Sequence, residues 1–335
     1  MTATKDLQTG RTHILGMGAY LPERVMTNDE WGQYVDTSDE WITARTGIKR
    51  RRIAAPDEST VDFAVAAARS ALEQAEIRPH DLEEIIVATD TPEVCVPDTA
   101  AFVQHKLCAR EIPAYDLAGS GCAGFLQALD VARARSFFGV GPILVVGVEL
   151  VSRLINWHDR NTCVLFGDAA AAFVVGAGPG RAEILSAVAG TDGSKAGILM
   201  IEVGGTRRPF DAEAARDESH RHITMNGREV FKEAVRRMSE GALSVLAKAG
   251  FSIRDLNLLI PHQANLRIIE AVAKSLGLTP DKLYVNIQEY GNTGSASAPL
   301  ALWEADRRGL IKPGDLVLLT SFGAGFHWAA ALLRF

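Results

Sequence analysis

Three segments of this 335-residue chain set a reactive side chain among residues that leave its surroundings bare. In YDLAGSGCAGFLQALDVA, residues 115–132, Cys122 stands between Gly119, Gly121 and Gly124. An apolar strand-like run precedes it, and Leu126, Leu129 and Ala132 recur afterwards at helical spacing. The thiol is therefore expected at a helix N-terminus, whose partial positive charge favours thiolate over thiol. The glycines allow a sharp turn and close approach of a substrate to backbone. Two readings follow: a nucleophile with a lowered pKa, or a small packed thiol. Cys95, Cys108 and Cys163 lack the glycine setting and read as packing residues.

In LLIPHQANLRII, residues 258–269, four apolar residues end at Pro261, and His262, Gln263 and Asn265 follow before a periodic helix. His262 reads as a site residue at a strand end or as a structural hydrogen-bonding histidine. In EYGNTGSASAPLAL, residues 289–302, Asn292 lies between Gly291 and Gly294, again ahead of a helix; a plain turn is the alternative. Gly323-Ala324-Gly325 breaks the last strand pattern. Such a bend can aim a backbone N–H into a site, as in an oxyanion hole, or can be a β-bulge without chemistry.

The elements that position these residues repeat. An offset of 174 superposes Leu72 on Leu246, Ala75 on Ala249, Ile77 on Phe251, Asp81 on Asp255, Leu82 on Leu256 and Ile86 on Ile260. Each copy reads as an amphipathic helix, a polar turn and a buried strand. GPILVVGVE (141–149) and PGDLVLLTSF (313–322) form a second echo. GAGPGRAE, residues 176–183, is rich in turn formers and reads as the joint. The expected organisation is a loose tail over residues 1–10, one half over 11–180 carrying the cysteine, and a second over 181–335 carrying the histidine and asparagine. Alternating strands and helices predict an α/β fold with mainly parallel sheets and a site where the halves meet. The duplication would then set Cys122 and Asn292 at equivalent helix starts, with His262 between them.

Bulk properties set the class. Apolar residues are 47% of the chain and charged residues 23%, a globular composition. The net charge of −6 argues against bulk nucleic-acid binding. No uninterrupted apolar run is long enough for a membrane span, and the polar N-terminus lacks a signal peptide's apolar core. Four scattered cysteines without C-x-x-C pairs predict free thiols in a reducing, cytoplasmic setting and no structural zinc site.

Taken together, VDTSDEWITARTGI, CAGF, DRNTCVLFGD, PHQANLRII, YGNTGSASAPLAL and SFGAGFHW resemble the β-ketoacyl-[acyl-carrier-protein] synthase III family of the thiolase superfamily, in its order and spacing, over about residues 11–335. The resemblance implies the duplicated thiolase-like α/β fold in five αβαβα layers. It also implies a Cys122–His262–Asn292 triad. Cys122 would take an acyl group from acyl-CoA. His262 and Asn292 would stabilise the enolate left when malonyl-acyl carrier protein loses CO₂. The backbone N–H groups of Cys122 and Ala324 would hold the oxyanion. No metal or redox cofactor is implied, and the assembly would be a homodimer.

The resemblance further places CoA against Thr37, Trp41, Arg45, Arg160 and Asn265, with Thr37-Ser38-Asp39-Glu40 fitting a capping box. An acidic carrier protein would meet a basic patch formed by Arg267, Lys274 and Lys232, with Arg236 beside it. Val96 matches the position that closes the acyl pocket from the neighbouring subunit. Ala169, Ala171 and Ala324 stand where the family usually has glycine. Within the same fold, a starter-unit condensing enzyme or acyltransferase of secondary metabolism is the alternative. Outside it stand a papain-like hydrolase, which would leave no condensation product, and a silent subunit, which typically lacks the nucleophile. A thiolase would need a second cysteine near the C-terminus, and Cys163 is the last one here.

Overall fold

The computed structural model describes residues 10–212 and 222–335, so all of the expected 1–10 tail except Gly10 lies outside the described residues. In chain order the first half runs β1 (Thr12–Tyr20), β2 (Val25–Thr27), α1 (Asn28–Trp31), α2 (Asp39–Thr46), β3 (Arg50–Arg52), α3 (Thr60–Ala75) and β4 (Glu84–Ala88). It continues with α4 (Thr99–Lys106), β5 (Ala114–Leu117), α5 (Gly124–Phe137), β6 (Ile143–Leu150) and β7 (Asp168–Ala177). The second half runs β8 (Ala182–Thr191), β9 (Leu199–Met200), β10 (Thr224–Met225), α6 (Gly227–Lys248), β11 (Leu258–Pro261) and α7 (Leu266–Ser275). It ends with α8 (Ile287–Tyr290), α9 (Ser297–Arg307), β12 (Leu316–Gly323) and β13 (His327–Arg334).

Nine strands pair in the order β11-β12-β13-β8-β1-β7-β6-β4-β5. Outward from the β1/β8 junction the two sides follow one plan: β7, β6 and β4 on one side, β13, β12 and β11 on the other. The 174-residue repeat falls on the ends of α3 and α6, the 3₁₀ turns Pro79–Asp81 and Ile253–Asp255, and β4 and β11.

Side chains alternate across these strands and divide the core into layers. Ile143, Val145, Val317 and Leu319 face a central layer made by α5 and α9. Leu144 and Val146 face α3 and α4 on one outer side. Leu318 and Leu332 face α6 and α7 on the other. The result is the expected αβαβα sandwich. α9 is buried nearly all round, as a helix between two sheets must be.

The sheet differs from the mainly parallel expectation. Only β4/β5, β4/β6 and β11/β12 pair in parallel; the other five adjacent pairs are antiparallel. A parallel pair needs a long crossover, which helices supply at those three places. The connector 324–326 is too short for that and makes β12/β13 antiparallel, while 178–181 carries the chain from β7 on one side of β1 to β8 on the other, both antiparallel to β1. The Gly-Ala-Gly bend is thus the β12–β13 turn, not a bulge.

Small residues set the close approach of α3 to β1. Ser59 and Asp62 form a reciprocal capping box that starts α3, and Ala64, Ala67, Ala68 and Ala71 are buried along it. A Cβ on Gly16 of β1 would stand 2.6 Å from the Ala75 nitrogen and 2.8 Å from the Ala75 Cβ. Gly16→Ala is therefore expected to cost about 2 kcal/mol through overpacking, seen as a lower urea midpoint with an unchanged slope. An unaltered midpoint would show that α3 is free to lift from β1.

Candidate active site

Cys122 occupies the 3₁₀ turn Gly121–Ala123, which runs into α5. His262 follows β11, and Asn292 precedes the 3₁₀ turn Gly294–Ala296 that leads into α9. All three line one cavity of about 650 Å³. Trp41, Arg45, Arg160, Asn265, Arg267 and Ala324 also line it. The two halves deliver Cys122 and Asn292 through corresponding turns after the strand edges, as the duplication leads one to expect.

The backbone at Cys122 is pressed against the β12–β13 turn. Gly121 has φ +54, and a Cβ there would lie 2.5 Å from the Ala324 nitrogen. A Cβ on Gly323 would lie 2.9 Å from the Gly121 carbonyl carbon and also meet the Cys122 nitrogen. The Cys122 and Ala324 N–H groups are thereby brought side by side. Among the described residues neither donates in a turn or loop backbone hydrogen bond. Among the described residues the non-glycine positions with positive φ are Glu76 and Cys108, so alanine at position 324 costs no backbone strain.

The expected lowering of the Cys122 pKa is overturned. Burial pushes the thiol well above its ordinary value, and the nearby Glu149 and Asp90 add to that. The Cys122 N–H and the Asn292 side chain favour thiolate but do not compensate. The thiol is thus held protonated at neutral pH. Enclosure outweighs the helix-end field, which sequence alone cannot weigh.

His262 is 2% exposed. Its N–H donates to the Thr320 carbonyl at 2.8 Å, and its Nδ1 is hydrogen-bonded to Ser297 Oγ. Ser297 Oγ also accepts the Gln263 N–H at 3.3 Å. The serine hydrogen is then free to point at Nδ1, which leaves Nε2 protonated as a donor. Asn292 Oδ1 accepts the Gly294 N–H at 2.9 Å, which turns its Nδ2 toward Cys122.

Other expected residues divide. Trp41 carries Arg45 at 4.2 Å and Arg160 at 4.7 Å from its ring centroid, so Arg160 rests on the indole itself, with its Nη1 donating to the Asp36 carbonyl at 2.7 Å. Asn265 caps α7: its Oδ1 accepts the Arg267 N–H at 2.9 Å, and its Nδ2 donates to the Arg45 carbonyl at 3.2 Å. Thr37 does not line the cavity, and the α2 cap is Ser38, accepting the Trp41 N–H at 3.2 Å. The capping box expected at Thr37 is therefore not formed: Ser38 caps alone, and the residue three positions on is Trp41. Val96 is 86% exposed and forms no part of this chain's own cavity.

Arg267 and Lys274 are exposed on α7, and Lys232 on α6. Arg236 is instead engaged by Glu233 at 2.5 Å and Glu240 at 3.3 Å. Sequence reasoning missed Ser297, Glu149 and Asp90, which meet the site only through the fold. Their one sequence signal is position: Glu149 ends a buried strand, and Ser297 lies five residues past Asn292. Among the described residues no helix is long and apolar enough to cross a membrane, and no cluster of His, Cys, Asp and Glu could hold a metal.

Burial lowers the His262 pKa from 6.5 to about 3, so the imidazole stays neutral across physiological pH. Unfolding exposes a group that binds a proton below its ordinary value. Its contribution to stability is therefore complete above pH 6.5 and declines as pH falls toward 3. The His262 ring resonances are expected to hold constant from about pH 5 to 8. Titration within that range would contradict the buried, serine-paired ring.

Comparison with known proteins gives the same grouping. The model for 3-oxoacyl-[acyl-carrier-protein] synthase III matches residues 115–193, and that for its C-terminal part matches 246–335. A β-ketoacyl-[acyl-carrier-protein] synthase III of Caldanaerobacter subterraneus subsp. tengcongensis is 48% identical, over 96% of this chain and 97% of that protein. The solved 3-oxoacyl-[acyl-carrier-protein] synthase III of Aquifex aeolicus superposes with TM-score 0.89 at 44% identity, covering 97% of this chain and all of that one. The priming β-ketosynthase of the R1128 polyketide pathway superposes with TM-score 0.88 at 37% identity, covering 97% of each chain. With the relatives matched nearly end to end, the chain belongs to the 3-oxoacyl-[acyl-carrier-protein] synthase III family.

Proposed function

We propose that the chain joins an acyl-CoA primer to malonyl-acyl carrier protein by decarboxylative Claisen condensation, the step that begins fatty-acid synthesis. The observation that carries this reading is the meeting of Cys122, His262 and Asn292 in one cavity that also takes in Trp41, Arg45 and Arg160.

In the first half-reaction the Cys122 sulfur attacks the thioester carbonyl, and its proton leaves with CoA as the free thiol. The N–H groups of Cys122 and Ala324 bind the oxygen as it gains charge. In the second, the malonyl carboxylate departs as CO₂. The enolate oxygen left behind accepts hydrogen bonds from His262 Nε2 and Asn292 Nδ2. A neutral histidine suits this role, since its N–H is a donor fixed in place by Ser297. The enolate carbon then attacks the acyl-enzyme carbonyl, and the Cys122 sulfur leaves and takes up a proton. Loss of CO₂ drives the bond formation, so the chemistry requires no metal or redox group.

Trp41, Arg45 and Arg160 suit the adenine and phosphates of CoA, with guanidinium and indole planes available for stacking. Asn265 would meet the pantetheine arm only by giving up part of its capping role, and Thr37 is left without a contact in the cavity. The exposed Arg267, Lys274 and Lys232 form the landing site for an acidic carrier protein. A homodimer is supported by the edge strand β5, whose side of the molecule exposes Val94, Val96 and Phe102. Val96 would then meet the partner's acyl pocket. Four free cysteines suit a reducing cytoplasm. The likeness to the R1128 priming enzyme keeps a starter-unit role in secondary metabolism as the second reading, separated from the first by the range of primers and extenders accepted.

Intact-mass measurement across an acyl-CoA panel is expected to show one acyl group on the wild type and none on Cys122→Ser. Acylation that persists in that variant and maps elsewhere refutes the nucleophile. His262→Ala and Asn292→Ala are each expected to load acyl groups but to lose malonyl decarboxylation about a hundredfold. Normal decarboxylation in both would remove them from the mechanism.

Charge reversal at Arg267 and Lys274 is expected to raise KM for malonyl-carrier protein about tenfold while sparing acyl-CoA loading. Equal loss in both half-reactions would sink the docking assignment.

A further inference from the structure

Glu149 is the next-to-last residue of β6, lies beside the site, is 2% exposed, and has no assigned part in the reaction. Its two oxygens accept the Asp90 N–H at 3.2 Å each, and Oε2 accepts the Thr91 hydroxyl at 3.0 Å. Ser295 Oγ lies 2.9 Å from Oε1 and 3.1 Å from the Ala88 carbonyl oxygen. A hydroxyl has one hydrogen, and a carbonyl can only accept. The serine hydrogen can serve only one of these two acceptors at full strength, and a proton on the glutamate lets both contacts be made at once.

The surroundings agree with a neutral acid. The titratable groups that face Glu149 and Asp90 are Cys122, from the turn before α5, and His327, from β13, which acts on Asp90. Neither gives Glu149 a cationic partner, and burial together with Asp90 drives its pKa well above the ordinary carboxylate value. A charged Glu149 would also oppose the thiolate that Cys122 must become.

Contacts run from Glu149 toward both reactive groups. Asp90, held by its N–H, accepts the Gly119 N–H at 2.8 Å and so braces the turn that carries Cys122. On the other side, a Cβ on Gly294 would lie 2.6 Å from Glu149 Cγ, so Gly294 rests on the glutamate stem. Gly294 in turn donates to Asn292 Oδ1 at 2.9 Å. We propose that Glu149 is a positioning residue held as a neutral carboxylic acid, tying the Cys122 turn of one half to the Asn292 loop of the other without placing a charge beside the thiol.

The proposal rests on the assignment of Cys122 and Asn292 above, and its test reads thiol ionisation separately from turnover. The pH dependence of Cys122 alkylation by iodoacetamide, followed by peptide mass, is measured for wild type and Glu149→Gln. The amide is the neutral mimic: its oxygen accepts from Asp90 and its NH₂ donates to Ser295. The two alkylation profiles are expected to coincide, with condensation within about threefold of wild type. A midpoint lowered by about one unit or more in Glu149→Gln would show that the native group is ionised and overturn the proposal.

Ser295→Ala supplies an independent arm, since it removes the bridge without altering the glutamate. It is expected to lower malonyl decarboxylation about tenfold with acyl loading unchanged. Unchanged decarboxylation, or equal loss of both steps, would overturn the positioning role. Failure of the nucleophile assignment itself would be recognised separately, by acylation of Cys122→Ser.

Discussion

The approach of two backbone segments governs this molecule. The turn at Gly121–Cys122 lies against the β12–β13 turn so closely that a side chain on Gly121 or Gly323 would meet backbone. Gly121 also takes a left-handed conformation that only glycine adopts freely. These conditions bring together two N–H groups from opposite halves of the chain, Cys122 and Ala324. Neither half alone could build that pair. The layered core exists to hold it: α5 and α9 fill the space between the half-sheets, and each carries one of the reactive turns at its start.

Enclosure has a second consequence, which is electrostatic. Removing water raises the thiol and lowers the histidine, so the resting site holds both as neutral groups. Charge then appears only as bonds change, first on the thioester oxygen and later on the enolate. Donors already in place respond strongly in such an environment and need no reorganisation. The site therefore spends little on storing a thiolate and more on receiving the charge that the reaction creates. The mouth is the opposite: Arg45 and Arg160 are exposed, charged and stacked on Trp41, as suits a highly charged nucleotide.

Much of the architecture was legible because the chain says it twice. The helix–turn–strand repeat and the buried strands 141–149 and 313–322 came to lie in α3, α6, β4, β11, β6 and β12. Cys122, His262, Asn292 and Ala324 stood out because glycine or a strand end surrounded them, and the structure puts all four around one cavity. Strand direction was less legible, since the β12–β13 hairpin and the central β1, antiparallel to both β7 and β8, depart from what alternating elements suggest. The capping box expected at Thr37 gave way to a simple Ser38 cap because Thr37 and Ser38 are both competent caps, and only the backbone decides between them. Glu149, Asp90 and Ser297 gave little signal: an acid at a strand end and a serine in a Gly-Ala-Ser run are ordinary until the fold buries them.

Local pattern by itself determined which segments fold as helices and strands, that the chain is duplicated, and which residues stand at turns or strand ends ahead of a helix. Those properties depend on neighbours within a few residues. Tertiary structure alone decided the protonation of the thiol and the imidazole, the partner of His262 Nδ1, and the alignment of two N–H groups far apart in sequence. Each of these is set by desolvation or by distance between segments more than thirty residues apart (His262 to Ser297 is the shortest, at 35). Burial and long-range separation belong to the folded core, and no short stretch of sequence contains them.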